Sequence, residues 1–268
     1  MTAAGKMTLS VRGLNVQVRE NGRLKPIVED VGFDIAAGEI VAMVGESGCG
    51  KSKTAEAIMG LLPPGHASMR AERIVLDNTD LKDLGESRMR HIRGRDISMV
   101  FQEPMTALDP VFTCGHQLAA VYRRHRGQNR QDARISALKM LSAVGFADAA
   151  RILRSYPHEL SGGMRQRVVV AMAMACKPKL LIADEPTTAL DVTTRAQVLE
   201  RLLTLSREAG TAVLLITHDL GIVAQYCERA IVMRQGRIIE DAPAKTLFEA
   251  PSESYTRDLI DSAKAMIL

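Results

Sequence analysis

Hydrophobic and polar residues follow two different periods along the chain, and their order predicts its elements. Near the N-terminus, partial alternation in LSVRGLNVQV and IVEDVGFDI predicts two half-buried strands, and the apolar run EIVAMVG predicts a buried strand. A helix is expected in the glycine-rich stretch after Val44, running through TAEAIMGLL and ending before Pro63. The segments RIVLDN and DISMVF predict further short strands.

The second half of the chain alternates between helical and strand periods. Apolar residues at three- and four-residue spacing predict helices across residues 114–155. From Ser161 the predicted order is a helix, the strand KLLIADE, the helix TTRAQVLERLLTLSREAG, the strand AVLLITHD, a helix and the strand RAIVMRQ. This alternation is typical of an α/β fold with a parallel sheet. Since no repeat or linker interrupts it, one domain with embedded subdomains is expected.

Amino-acid composition excludes several classes of protein. Hydrophobic residues make up 46% of the 268 residues, which allows a full core and excludes a disordered chain. No apolar run reaches the ~20 residues of a membrane span, and the N-terminus lacks the apolar segment of a secretory signal. We therefore expect a soluble protein that would serve a membrane process only through a partner. The four separated cysteines predict reduced thiols in a cytosolic protein, and the net charge of +4 is too small to indicate nucleic acid or lipid by itself.

The clearest chemical motif is Gly45-Glu-Ser-Gly-Cys-Gly-Lys-Ser52, which fits G-x-x-x-x-G-K-[ST] between a predicted strand and a predicted helix. Glycines let the backbone wrap a phosphate, and the helix N-terminus favours its charge. Lys51 would bridge the β- and γ-phosphates, and the Ser52 hydroxyl would bind Mg²⁺. The predicted nucleotide-binding residues are Gly45, Glu46, Ser47, Gly48, Cys49, Gly50, Lys51, Ser52 and Lys53. Lys53 is either a solvated side chain or a supplementary contact to the α-phosphate.

A second motif is the strand KLLIADEP, which ends in two carboxylates. Asp184 is placed to hold Mg²⁺, and Glu185 beside it is placed to orient or activate a water against the γ-phosphate.

A third motif, LSGGMRQR, opens a predicted helix and so forms a second anion-binding N-terminus. A chain with one P-loop does not need this site for itself. We expect the site to close over ATP held by another subunit, through Ser161, Gly162, Gly163 and Met164.

The order of these motifs, with LSGGMRQR between a P-loop and a strand ending in Asp-Glu, resembles the ATPase subunits of ABC transporters along nearly the whole chain. The resemblance implies a P-loop NTPase core of ABC ATPase type with an antiparallel β subdomain and a helical subdomain. It implies a single domain over residues 7–262, with the helical subdomain near 103–165 and a C-terminal tail near 246–268. ATP and Mg²⁺ are the implied cofactors.

The same resemblance assigns further roles. Gln102 would be the Q-loop glutamine, which touches Mg²⁺ and couples to the membrane subunit, and Asp191 would belong to the D-loop. His218 would be the switch histidine that contacts the γ-phosphate. The implied catalytic residues are Glu185, His218 and Gln102, and the implied metal ligands are Ser52, Gln102 and Asp184.

The stretches FQEPMTALDP, ADEPTTALDVTTRAQVL and SYTRDLI resemble the peptide/nickel group of bacterial importers. This implies a second ATPase subunit, identical or homologous, two transmembrane permeases, and an extracytoplasmic solute-binding protein acting indirectly. The chain would sit peripherally on the cytoplasmic face of the inner membrane. Many oligopeptide members continue into a cysteine-rich extension. The present sequence ends at Leu268 without one and is more similar to shorter members, including nickel or metallophore importers.

One departure from the family concerns the base. Val18 stands where the family usually has an aromatic residue that stacks on adenine, and the first aromatic, Phe33, is placed toward the core by alternation. Either the base is held loosely, or the guanidinium of Arg19 stacks on it.

Two other function classes are alternatives to an importer. Soluble ABC-type ATPases that act on nucleic acid resemble longer chains with coiled-coil or zinc insertions or tandem domains, and none of these features is found here. The arginine-rich residues 123–134 could contact nucleic acid, but the sequence favours a solvated helix face and loop. Tyr122 is their only aromatic neighbour, and base stacking would need more. We therefore expect no nucleic-acid partner. The other alternative is an exporter ATPase. The resemblance of FQEPMTALDP and the Y-T-R segment to importers favours import over export.

Overall fold

The computed structural model describes residues 6–20, 22–101, 107–187 and 190–265. Its strands are β1 (Met7–Glu20), β2 (Arg23–Ala36), β3 (Ile40–Val44), β4 (Ala67–Arg70), β5 (Arg73–Leu76), β6 (Thr79–Asp80), β7 (Ile97–Val100), β8 (Leu180–Asp184), β9 (Ala212–Ile216), β10 (Arg229–Arg234) and β11 (Arg237–Pro243). Its helices are α1 (Lys51–Met59), α2 (Glu86–Ile92), α3 (Cys114–Arg126), α4 (Arg130–Ala143), α5 (Ala149–Arg154), α6 (Gly162–Met174), α7 (Val192–Ala209), α8 (Leu220–Tyr226), α9 (Ala244–Glu249) and α10 (Ser254–Ala265). The chain divides into two compact units, Met1–Met89 with Ala212–Leu268, and Arg90–Thr211.

The first unit contains an antiparallel sheet in the order β2–β1–β5–β6, with β4 also paired to β1. Buried residues of β1 and β2 face each other at Leu9↔Ile35, Val11↔Phe33, Leu14↔Val31 and Val16↔Val28. A slip of one residue would move this whole apolar set to the other face, so the pattern fixes the register. The first two predicted strands and the core position of Phe33 are confirmed.

The first unit also contains the strands β11, β10, β3 and β9 in that order, with β3 parallel to both β9 and β10. Every residue of β3 and β9 is buried, as expected for parallel strands covered on both faces. Because β3 and β9 are parallel neighbours, the turns that follow them leave the same edge of the sheet.

Helix α1 is shorter than its sequence pattern predicts. It begins at Lys51 and ends before Gly60, which adopts the left-handed conformation at φ 63°. The N–H of Gly60 bonds back to the carbonyl of Ala57, and the N–H of Leu61 bonds to Glu56. The prediction that the helix extends through Leu62 was therefore wrong, because Gly60 ends the helix rather than lying within it.

The second unit contains the parallel pair β7–β8 and the helices α3 to α7. Helices α3, α4 and α5 confirm the helical pattern predicted for residues 114–155. Each of these three helices has an N-cap side chain that accepts a backbone N–H of the first turn. The three capping residues are Thr113, Asn129 and Asp148. The arginine-rich segment forms the end of α3, a turn at Gly127 and the start of α4. The fold class predicted from the sequence, parallel α/β with an antiparallel β portion and helices, is confirmed.

Candidate nucleotide-binding site

The loop between β3 and α1 has a backbone that only glycine permits at two positions. Gly45 has φ 146°, and a Cβ there would lie 2.2 Å from the carbonyl oxygen of Met233. Gly50 has φ 111°, and its Cβ would lie 2.8 Å from the carbonyl oxygen of Ile27. The loop is therefore packed directly against neighbouring backbone and cannot accept side chains at these points.

The N-terminus of α1 is suited to an anion. Its cap residue is Gly50, no side chain caps the first turn, and that turn contains no acidic residue. The first N–H groups of a helix carry partial positive charge and have no partner within the helix. A glycine-lined loop that leads into such a helix end fits a nucleotide phosphate.

Lys51 is buried, and its ammonium lies over the carbonyls of the loop. Its Nζ donates to the oxygen of Gly45 at 2.8 Å and to that of Glu46 at 2.9 Å. Ser52 follows it, half-buried, as the second residue of α1. Both predicted phosphate and metal contacts of the P-loop thus lie on the first turn of this helix.

Lys53 lies on the same turn but is paired within the helix. Its Nζ donates to the two carboxylate oxygens of Glu56 at 2.9 and 2.6 Å. This i,i+3 pair neutralises much of its charge locally.

The second unit holds the two acidic residues that follow a buried strand. All five residues of β8 are buried, and Asp184, its last residue, is 6% exposed. Glu185 comes next, half-buried, with φ 45°. A left-handed backbone is uncommon for glutamate and is often retained where function requires it.

The predicted signature segment begins helix α6 in this unit. The Ser161 side chain accepts from the N–H of Met164 at 3.3 Å and caps the helix. A Cβ at Gly163 would lie 2.3 Å from Cγ2 of Thr194, so glycine is required for this approach to α7. Arg165 Nε donates to the carbonyls of Pro157 and Leu160 at 2.7 and 3.0 Å, which fixes the preceding turn.

Gln166 connects the signature helix to the acidic motif. It is fully buried, and its Nε2 donates to the carbonyl oxygen of Pro186, the residue after Glu185. Sequence reasoning missed this residue, because a glutamine between two arginines, Arg165 and Arg167, gives no local signal of burial.

Asp191, the predicted D-loop residue, is exposed and caps α7. Its Oδ1 accepts from the N–H of Thr194 at 3.0 Å. This hydrogen bond and others to the same backbone turn lower the pKa of the carboxyl, which therefore stays ionised.

His218 lies exposed in the turn after β9, in the first unit. The residue after it, Asp219, caps α8 by accepting from the N–H groups of Gly221 and Ile222 at 2.9 and 3.3 Å, and its own N–H donates to Thr217 Oγ1. Since β3 and β9 are parallel neighbours, His218 and the P-loop leave the same sheet edge. Gln102 lies outside the described residues.

Two features are absent from the part of the chain that the structure describes. Among residues 6–20, 22–101, 107–187 and 190–265, no group of three or more His, Cys, Asp or Glu side chains could hold a metal ion by itself. Within the same ranges, no helix is both long and apolar enough to cross a bilayer.

The chain is similar to known ATP-binding proteins of transport systems. The family model for ABC transporters matches residues 28–188. The dipeptide transport ATP-binding protein DppD of Bacillus subtilis is 49% identical over 97% of this chain and 78% of its own length. The probable peptide ABC transporter ATP-binding protein y4tR of Sinorhizobium fredii is 48% identical over 96% of this chain and 76% of its own.

A solved structure of the ATP-binding cassette MJ0796, a dimer in a post-hydrolysis state bound to ADP and Pi, superposes with a TM-score of 0.77. The two sequences are 28% identical, and the match covers 88% of this chain and 98% of the MJ0796 chain. The chain therefore belongs to the ABC transporter family, and it is an ATPase with the ATP-binding domain of that family.

Proposed function

We propose that this chain is the energy-coupling subunit of an importer and hydrolyses ATP to move peptides, nickel, metal chelates or a related small solute. The relatives named for dipeptide and peptide transport support this solute class. The observation that carries the mechanism is that one chain holds two helix N-termini suited to phosphate, those of α1 and α6. ATP would then lie between the P-loop of one subunit and Ser161–Met164 of another.

The predicted metal ligands suit Mg²⁺. The Ser52 hydroxyl, the Asp184 carboxylate and the Gln102 side-chain oxygen are hard oxygen donors, and Mg²⁺ is commonly held by one or two carboxylates together with substrate phosphates. When bound, Mg²⁺ would neutralise charge on the phosphates. We therefore assign these three residues to it.

The chemistry would consist mainly of positioning and charge neutralisation. Lys51 would hold the β- and γ-phosphates, and Glu185 would orient or deprotonate the attacking water. His218 would contact the γ-phosphate, and Asp191 would lie in the D-loop at the subunit junction. Gln102 would couple the site to the membrane subunit.

The proposal includes the assembly. A second ATPase subunit, identical or homologous, would complete each site, and closure of the pair would drive two transmembrane permeases fed by an extracytoplasmic solute-binding protein. The chain would act peripherally on the cytoplasmic face of the inner membrane, without a nucleic-acid partner. Residues 7–262 would form one ATPase domain, with its helical subdomain near 103–165 and a tail near 246–268.

Uptake by cells tests the proposed function. A strain whose only copy carries Lys51→Ala should lose uptake of a radiolabelled dipeptide, of radioactive nickel, or of both, because the subunit could no longer use ATP. Lys139→Ala, an exposed lysine on α4, is the matched control and should take up solute normally. Normal uptake of both solutes by the Lys51→Ala strain would contradict the proposed solute class.

A further inference from the structure

Helix α10 contacts the phosphate-binding loop through one hydroxyl group. Tyr255, in the first turn of α10, is 7% exposed, and its hydroxyl accepts the N–H of Glu46 at 3.1 Å. Glu46 is the second residue of the P-loop. Nothing in the local sequence around Tyr255 predicts this contact, because the two residues are 209 positions apart.

The hydroxyl of Tyr255 and the ammonium of Lys51 bind opposite sides of one peptide group. The N–H of Glu46 and the carbonyl of Gly45 belong to the same amide, and that carbonyl accepts from Lys51 Nζ at 2.8 Å. An amide whose N–H donates and whose carbonyl accepts is polarised by both bonds, and each strengthens the other. The position of Lys51 is therefore coupled to the presence of the tyrosine hydroxyl.

The surroundings of Tyr255 hold its ring in place. The guanidinium of Arg234 lies over the ring, 4.6 Å from its centroid, as in a cation–π contact. The buried carboxylate of Glu240 accepts the N–H groups of Ser252 and Glu253 at 2.8 and 3.3 Å, which fixes the chain just before α10. Farther along the helix, Ile260 is 2% exposed and anchors it in the core.

We propose that Tyr255 is a positioning residue for ATP binding, which fixes the Gly45–Glu46 peptide and through it the ammonium of Lys51. This inference rests on the proposed role of Lys51 in holding the phosphates of ATP. It gives the C-terminal helix a direct effect on the nucleotide site. Burial raises the pKa of the tyrosine above its ordinary value, so the hydroxyl stays protonated at neutral pH.

Tyr255→Phe removes the hydroxyl and retains the ring under Arg234. Equilibrium binding of Mg-ATP to the full chain should weaken about threefold to tenfold, which corresponds to the net contribution of one hydrogen bond. The Tm of the nucleotide-free protein should stay near that of the wild type, because the packed ring is unchanged. The KM for ATP should rise with the Kd.

Two matched variants separate positioning from general stability. Tyr122→Phe removes another hydroxyl from a tyrosine that is also 7% exposed, on α3, and should leave the Kd for Mg-ATP unchanged. Ile260→Val loosens α10 without touching the loop, and should lower the Tm while leaving the Kd unchanged.

Three results would overturn the proposal. The first is a Tyr255→Phe chain that binds Mg-ATP as the wild type does, and the second is an Ile260→Val chain that weakens binding as much as Tyr255→Phe. Either would leave the proposed ATPase function intact. A wild-type chain that binds no Mg-ATP would overturn both the inference and the proposed function.

Discussion

The buried side-chain amide of Gln166 donates a hydrogen bond to the carbonyl oxygen of Pro186. This bond ties the signature helix α6 to the backbone that directly follows Glu185 and Asp184, within one compact unit. The segment proposed to complete a partner's site is thus mechanically linked to the segment proposed to perform hydrolysis in its own. The Gln166 side chain is one contact through which a change in either segment would reach the other.

Gln166→Leu should lower the free energy of unfolding by about 1–3 kcal/mol, because it leaves a buried carbonyl without its donor. Urea unfolding of the full chain measures this. Gln197→Leu is the control, since Gln197 also bonds α6, through Arg167 at 3.0 Å, but on the exposed surface. That variant should differ from wild type by less than about 0.5 kcal/mol. If both variants lost the same free energy of unfolding, the Gln166–Pro186 hydrogen bond would stabilise the fold no more than the exposed Gln197 contact does.

Glu185→Gln should bind ATP and hydrolyse it at least ~100-fold more slowly, in line with the loss of a catalytic base. The variant should accumulate as an ATP-bound closed dimer or heterodimer, seen by size-exclusion chromatography. Glu200→Gln, an exposed glutamate on α7, should hydrolyse ATP normally. Turnover of Glu185→Gln within a few-fold of wild type would remove Glu185 from this role.

The surroundings of Val18 in the first unit predict that the adenine base of ATP is recognised only loosely. Val18 is half-buried between Lys25 on β2 and Ala67 on β4, and the Arg19 guanidinium donates to the Gly22 carbonyl at 3.2 Å. Without an aromatic ring at Val18, ATP and GTP should bind within a few-fold of each other. Val18→Tyr should gain about tenfold in ATP affinity, since base stacking contributes roughly 1–3 kcal/mol.

Competition binding with ATP and GTP measures this selectivity. Gln17→Tyr is the control, because alternation places it on the opposite face of β1, and it should gain nothing. A further loss of affinity in Arg19→Ala would favour the guanidinium as the stacking group. A wild type that prefers ATP 50-fold or more, with no change in Val18→Tyr, would refute the prediction of loose base recognition.

The stability that Glu240 contributes by holding the chain just before α10 should depend on pH. Burial opposes its ionisation, but hydrogen bonding, including that from the N–H groups of Ser252 and Glu253, outweighs burial and lowers the pKa of Glu240 below the ordinary value of 4.5. A pKa that is lower in the folded state contributes stability above the unfolded value, and this is lost as pH falls through the folded value. Glu240→Gln should therefore be less stable than wild type by about 1–2 kcal/mol at pH 7.

The difference between wild type and Glu240→Gln should shrink as the pH is lowered below 4.5. Denaturant unfolding across this range measures it. Glu249→Gln removes an exposed carboxylate 3.9 Å from Lys245 and should show no such pH-dependent difference. A constant gap between Glu240→Gln and wild type down to acid pH would contradict this assignment.

Local signals predicted much of the fold. The alternation of Leu9, Val11, Leu14 and Val16 fixed β1 on its partner, and the apolar runs of β3, β8 and β9 marked the buried parallel strands. The P-loop was predictable because its glycines, lysine and serine are contiguous in the sequence. Short elements such as β4 and α2 were missed, because their burial pattern is weak.

The contacts that shape the candidate site were not predictable in the same way. Gln166 reaches Pro186 across 20 residues, and Tyr255 reaches Glu46 across 209, so neither bond has a sequence period or motif. The pairing of Lys53 with Glu56 lies within one helix turn, yet the sequence alone also allowed Lys53 to contact a phosphate. Tertiary packing decides the partners of Gln166 and Tyr255.

The most direct test of a site shared between subunits is the ATPase activity per chain as the wild-type protein is diluted. Because Ser161–Met164 would complete the site of a partner, specific activity should fall steeply between micromolar and nanomolar concentration, and added partner subunit should restore it. Activity per chain that stays constant on dilution, with no partner present, would contradict the shared site.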